Sequence, residues 1–218
     1  MLGQPLARRD ALRIGLVGLA SLPLFGTASL AAPGTDETSP VVAVQSFNAA
    51  LLGVMKAGAG VSFGQRDAML QPVVDRTFDL DTILRVSVGP HWASMPADQQ
   101  AALSAAFRRY TIANFVANFD SYKGETIQTA AGQQSVANGD QVVATRIVSP
   151  TGSPVELSYV MRQTAAGWKA VDVLAEGSIS RVATQRSDFR NLLATGGGPA
   201  LVASLENKVA ALSNGSLA

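Results

Sequence analysis

Between Pro40 and about Ala57, apolar residues recur at three- and four-residue spacing: Val41, Val44, Phe47, Leu51, Val54 and Met55. That period predicts an amphipathic helix with Pro40 in its first turn and Gly58 and Gly60 at its end. A second helix is expected from about Gln65 to Val74, with Pro72 near a bend or boundary. A third starts in Phe78-Asp79-Leu80-Asp81-Thr82-Ile83-Leu84-Arg85, with Asp79 suited to cap it, and stops at Gly89-Pro90. The fourth opens at Met95-Pro96-Ala97-Asp98, a proline and an acid suited to the positive end of a helix dipole. Its first half has one apolar stripe, Leu103, Phe107 and Tyr110. Beyond it, Ile112, Phe115, Val116 and Phe119 cover more than half the circumference, so this half is expected to be buried on more than one side.

After Tyr122 the period changes from helical to alternating. Thr126 to Ala130, Val142 to Val148, Val155 to Arg162 and Trp168 to Leu174 read as strands. Asn138-Gly139-Asp140, Pro150-Thr151-Gly152-Ser153-Pro154 and Ala165-Ala166-Gly167 separate them. Loops this short join antiparallel neighbours, which predicts a four-stranded meander. In the third strand Val155, Leu157, Tyr159 and Met161 share one face, while Glu156, Ser158 and Arg162 share the other, so one face is covered and one is wet. From Gly167 to Leu205 a strand turns at Glu176-Gly177 into a helix that points Ile179, Val182, Phe189, Leu192 and Leu193 inward. A last helix runs from Pro199 to about Leu212 after the Gly196-Gly197-Gly198 break. Helices, an antiparallel sheet and helices again make the α+β class, with helices from both ends of the chain layered on one sheet.

Composition adds an address. Of 218 residues, 47% are hydrophobic and 15% charged, enough to bury a substantial core. Arg8-Arg9-Asp10-Ala11-Leu12-Arg13 precedes an apolar run from Ile14 to Leu30 and small residues at Ala31 and Ala32, the layout of a twin-arginine-like export signal. A membrane anchor is the alternative, but Gly15, Gly18, Pro23 and Gly26 interrupt a run already short for a bilayer. The expected organisation is a signal over residues 1–31 cut near Ala31, a flexible leader over 32–39, and a single domain over 40–218. The formal charge is +1; without the first thirteen residues, 14 basic side chains face 15 acidic ones, which gives no electrostatic reason to expect nucleic acid. The chain has no cysteine, hence no disulfide and no lipidated cysteine after the signal.

Chemistry is sparse. His91, the only histidine, lies between Pro90 and Trp92 with no orienting partner in sight, and reads as a surface or capping imidazole. Asp75, Asp79 and Asp81 lack the loop spacing of a metal site and read as helix caps. Gly196-Gly197-Gly198-Pro199 has no following lysine and reads as a turn between helices. No catalytic residue and no metal ligand is expected. What remains is apolar, and residues alone do not distinguish a filled core from a cavity.

Several short matches occur in order along nearly the whole of residues 40–212. They are Phe78-Asp79-Leu80-Asp81; Arg85 followed by Gly89 and Trp92; Pro96 with Gln99-Gln100 and Phe107; and Gly167-Trp168-Lys169 with Asp172-Val173. Glu176-Gly177, Arg186 with Phe189, Leu192-Leu193 and Gly196-Gly197 complete the set. In these the chain resembles the MlaC/toluene-tolerance family of periplasmic lipid-binding proteins. Thr184-Gln185-Arg186 and Ile179-Ser180 depart from the family's usual residues and, with Phe119-Asp120-Ser121-Tyr122, look more like its hopanoid-associated HpnM branch.

The resemblance implies an apolar cavity between sheet and helices and a carrier rather than an enzyme, with no cofactor beyond a lipid ligand. That carrier would be soluble in the periplasm, bind phospholipid or hopanoid-type tails, and shuttle lipid between an outer-membrane lipoprotein/porin complex and an inner-membrane ABC transporter. The expected lining is Leu157, Tyr159, Met161, Val171 and Val173 on the sheet, with Phe107, Phe115 and Phe119 opposite. Arg85, Trp92 and Asp172 are expected to be structural, Asp172 paired with Arg85 or Arg186. The competing reading is an NTF2-like small-molecule binding domain or enzyme, which would need paired acid/base residues on the inward strand face.

Overall fold

A computed structural model describes residues 39–217. The expected signal and all of the leader except Ser39 lie outside them. Ser39 opens the first helix, α1 (Pro40–Ala57), its hydroxyl accepting from Val41 N–H at 3.3 Å. By length and composition α1 could cross a membrane, yet Val44, Phe47, Leu51 and Val54 are buried in the core, so it is an interior helix. A 3₁₀ turn over Gly58–Gly60 leads to α2 (Phe63–Thr77), which begins earlier and ends later than the sequence pattern predicts. Ser62 and Gln65 form a reciprocal capping box that sets the earlier start, and Pro72 is carried inside the helix rather than ending it.

After α2 the chain is extended at Phe78, where it forms a parallel bridge to Ala170 and Asp79 N–H donates to Ala170 C=O at 3.0 Å. Asp79 then caps α3 (Leu80–Val88) through Thr82 N–H at 2.9 Å, as its position predicts. The short α4 (His91–Ser94) carries His91 exposed at the surface. The long α5 (Ala97–Asn118) follows.

The sheet contains the four predicted strands and two more of two residues each. They are β1 (Thr126–Thr129), β2 (Gln134–Ser135), β3 (Gln141–Val148), β4 (Val155–Thr164), β5 (Gly167–Ala175) and β6 (Ile179–Ser180). The order is β1-β3-β4-β5-β6, all antiparallel, with β1 and β2 sharing the outer edge of β3. The sequence pattern misses β2 and β6 because two residues show no alternation. Their turns are legible: Asn138 and Gly139 both have positive φ, as do Glu176 and Gly177, the conformation that tight hairpins require.

The last helix, α6 (Arg181–Leu212), breaks at Gly197 as predicted, with φ 62° and ψ −156°. A side chain at the next residue, Gly198, would place Cβ 2.9 Å from Gln99 Oε1, so the break also lets α6 approach the start of α5. Asp172 does not pair with an arginine. Its Oδ1 accepts from Val173 N–H at 2.7 Å and Val182 N–H at 3.1 Å, and its Oδ2 from the Ser180 hydroxyl at 2.5 Å. It thereby ties β5 to the first turn of α6, while Arg85 lies over the Trp92 ring and Arg186 beside Gly89.

The helices form two tiers. α1 lies across β1, β3 and β5; α5 packs mainly on α6, with α2 and α3. On the opposite face of the sheet Ala144, Arg146, Glu156 and Arg162 are exposed, with Arg146 and Glu156 paired across strands at 3.7 Å. One covered face and one wet face is the predicted arrangement.

Candidate functional site

Strand register arranges the helix-facing side chains into rows. Met161 stands beside Ala170; Val143, Tyr159 and Val173 form the next row; Thr129, Thr145, Leu157, Ala175 and Ile179 the third; and Ile127, Ile147 and Val155 the last. Exposure climbs along β4 from row to row: Met161 is 0% exposed, Tyr159 2%, Leu157 partly buried and Val155 50%. Ile179, at the far edge of the third row, is 51% exposed. The space between sheet and helices is closed at the Met161 end and opens, over apolar side chains, at the Val155 end. Isolated exposed apolar residues are ordinary, but a graded row on one face leading out of the core is a surface that a ligand could extend.

Aromatic rings fill the inner part of this space. Phe47 on α1 meets Phe78 at 5.0 Å between ring centres, Phe115 at 5.1 Å and Tyr159 at 6.0 Å, each edge to face. Phe78 also lies 5.6 Å from Phe115 and 6.3 Å from Tyr159. Such rings prefer offset or edge-to-face contact, and these fill the space in that way.

Of the residues expected to line a cavity, Leu157, Tyr159, Met161 and Val173 share the covered face. Val171 does not join Met161, because a bulge beside Val160 and Met161 shifts the register and gives that place to Ala170. Val171 is buried outside the continuous core that contains Tyr159. Phe115 reaches the aromatic group and Phe119 borders the same core, but Phe107 is turned to α6, 6.4 Å from Phe189. Eight residues of helix rotate a side chain by about 80°, which is why one helix sends Phe107 and Phe115 to different neighbours. The helical wall facing the sheet belongs instead to α1. Phe47 stands at its centre, with Phe78 from the segment after α2 packed against it.

The wall contains one polar group. Asn48 on α1, 4% exposed, donates from Nδ2 to Thr129 Oγ1 at 3.0 Å and Thr145 Oγ1 at 3.3 Å, and its Oδ1 accepts from the Tyr159 hydroxyl at 3.4 Å. Burial pushes the Tyr159 hydroxyl well above the usual phenol range, so it is a neutral donor. Asn48 and Thr129 border a crevice of about 260 Å³ between α1 and β1, together with Gln45, Ala49, Leu52 and Ile127. Sequence reasoning missed this group. Asn48 lies 81 to 111 positions before the other three members and no local pattern joins it to them.

A larger depression, about 500 Å³, lies at the other end of the sheet, lined by Asp75, Asp79, Asp81, Arg108 and Lys169 among others. Its charges have partners within the fold. Arg108 forms a two-pronged bond to Asp75 at 2.7 Å, and Lys169 Nζ donates to the C=O groups of Asp75 and Arg76 that end α2, at 2.8 and 2.6 Å. Asp79 is a cap and Asp81 accepts from Ser104 at 3.2 Å. Among the described residues no group of three or more potential ligands is placed to hold a metal ion. The crevice between α1 and β1 is smaller, about 260 Å³, and no charged side chain lines it.

A search of curated proteins finds no match for the chain. Among solved structures, the fold is similar to that of a phospholipid-binding protein from Ralstonia solanacearum, solved in complex with a phospholipid. The TM-score is 0.69 at 19% identity, and the match covers 80% of this chain and 99% of that one. At this identity the likeness speaks for the fold. The model of the MlaC protein family matches residues 45–207, three quarters of the sequence, and the chain belongs to the MlaC family.

Proposed function

We infer that this protein is a lipid carrier, holding acyl or similar apolar tails between α1 and the covered face of the sheet. The observation that supports this most strongly is the rise in exposure along one apolar strand face, from Met161 at 0% to Val155 at 50%. Tails would enter at the Val155 and Ile179 end and a headgroup would stay near water. Family membership and the phospholipid in the structurally similar protein favour the same reading. The export-signal pattern at the N-terminus agrees with a periplasmic site of action.

Two acyl chains hold roughly thirty methylenes, each favouring an apolar environment by about 0.8 kcal/mol, so a free lipid does not cross an aqueous compartment. Tails are as dry in a membrane as in a protein cleft. Exchange between the two is therefore close to balanced, as a carrier between an outer-membrane complex and an inner-membrane ABC transporter requires. A crevice of about 260 Å³ is smaller than ordinary ligand pockets, so uptake needs α1 and the sheet to part and the rings around Phe47 to move. An enzymatic reading has less support. The buried polar cluster at the covered face is an amide, two threonines and a neutral tyrosine, none of which is a proton shuttle near neutral pH.

The test is transfer. After incubation with vesicles of phosphatidylethanolamine and phosphatidylglycerol and separation by size, lipid should elute with the protein; protein that remains free of lipid would overturn the reading.

A further inference from the structure

On the outside of the helical layer, Arg85 of α3 and Arg186 and Arg190 of α6 are exposed and stand without a counter-charge. The ion pairs among the described residues join Arg108 to Asp75, Arg146 to Glu156 and Arg162 to Asp140. The arginines that donate hydrogen bonds there are Arg66, Arg108, Arg109 and Arg162. The acids nearest in sequence are turned elsewhere. Asp81, one turn before Arg85, accepts from the Ser104 hydroxyl at 3.2 Å, and Asp188 is rotated about the axis of α6 by about 200° from both Arg186 and Arg190.

Packing of α3 on α6 gathers these cations. The Ser87 hydroxyl meets Gln185 Oε1 at 3.3 Å across the two helices, and a side chain at Gly89, which ends α3, would place its Cβ 3.4 Å from Arg186 Nη2. Gly89 follows Arg85 by four residues and Val86 by three, so Arg186 reaches the face of α3 that carries both. Arg190 is one turn beyond Arg186 on the same side of α6. Arg85 holds its guanidinium 5.9 Å from the centre of the partly buried Trp92 ring on α4, and Val86 is 49% exposed. A lone surface cation or a lone exposed valine is ordinary. Cations without partners set around an indole and an exposed apolar side chain have the make-up of an interface, where Trp and Arg supply much of the binding energy.

We propose that this face of α3, α4 and α6 docks an acidic segment of a protein partner. Carboxylates of that segment pair with Arg85, Arg186 and Arg190, and one of its apolar side chains rests on Val86 and Trp92. The inference goes beyond the carrier reading and does not depend on what the cleft holds. A guanidinium presents a planar fork that bonds a carboxylate through two parallel hydrogen bonds, which a loosely hydrated lysine patch would not do. A membrane surface fits less well. The patch offers a single exposed apolar side chain, too little to enter a bilayer, and it is built from three helices rather than from the strands at the cleft mouth.

The experiment places photoreactive benzoylphenylalanine at Val86 in the full chain, made in its own host cells, and maps by mass spectrometry the segment joined to it on irradiation. The expected product is a partner protein joined through a segment in which Asp and Glu outnumber Lys and Arg. Arg186→Glu/Arg190→Glu should lower the yield about tenfold or more, and changing acids of the mapped segment to Lys should restore it with that variant. Arg186 lies against the end of α3, so Arg190→Glu alone guards against misfolding: it should lower the yield severalfold, and it decides if the double variant does not fold. No joined product, a product joined through a segment without the acidic excess, or a yield that charge reversal leaves unmoved each overturns the proposal. Flotation with vesicles of phosphatidylglycerol and phosphatidylethanolamine tests the other source of negative charge. Binding to those vesicles that Arg190→Glu abolishes would assign the patch to a lipid surface, against the proposal. Lipid uptake into the cleft is read separately and should be the same with and without the reversal; uptake lost together with docking would show that the arginines act through the cleft and equally overturns a separate docking face.

Discussion

Phe47→Ala should lower the unfolding free energy by about 3–5 kcal/mol, the range for removing a fully buried aromatic ring. Phe47 is 0% exposed and its ring touches three others, from the segment after α2, from α5 and from the sheet. Phe78 meets as many rings, but it is 5% exposed where Phe47 is fully buried. Domains are stable by about 5–15 kcal/mol, so this single change removes a large fraction of the total, readable as a shift in the urea midpoint at constant slope. The same cavity lies where lipid tails are proposed to lie. Vesicle lipid in excess should therefore recover part of the loss, because a ligand that binds only the folded state stabilises it. If lipid does not move the midpoint of the variant or of the unaltered protein, the rings around Phe47 are a plain core.

Leu157→Arg should act on binding instead of folding. Leu157 is partly buried, on the covered face, one row inside the open end. A long cationic side chain there can run its stem along the apolar wall and reach water past Val155, so the expected cost is about 1 kcal/mol, or roughly 2–4 °C in melting temperature. With tails in place the guanidinium would be shut among methylenes, which costs several kcal/mol. Bound lipid should fall by tenfold or more. A variant that unfolds as readily as Phe47→Ala, rather than losing lipid, would mean that the position is packed and not part of a cleft.

The alternation of Val155, Leu157, Tyr159 and Met161 made the covered face of β4 legible from the sequence, and the turn residues at Asn138-Gly139-Asp140, Pro150-Thr151-Gly152-Ser153-Pro154 and Ala165-Ala166-Gly167 made the meander legible. The bulge that removes Val171 from that face was not legible, because an extra residue in a strand leaves no mark when its neighbours are also apolar. Helical period correctly indicated that the second half of α5 is buried on several sides, but not which neighbour each side meets. Phe107 and Phe115 look alike in sequence, and only tertiary packing sends one to Phe189 and the other to Phe47. Asp172 was read correctly as a polar residue needing partners inside an apolar strand. Its partners proved to be backbone N–H groups and Ser180, which a search for cations could not find. Asn48 was the least visible, since a lone amide on a helix gives no sign of the two threonines that face it across 81 and 97 residues of chain.

The central claim is that apolar tails occupy the space between α1 and the sheet, and the most direct measurement is the mass of the protein purified without detergent from cells that export it. Native mass spectrometry should show the protein carrying one lipid, which solvent extraction releases and identifies. Protein that is uniformly lipid-free, and that also takes up none from vesicles, would contradict the account.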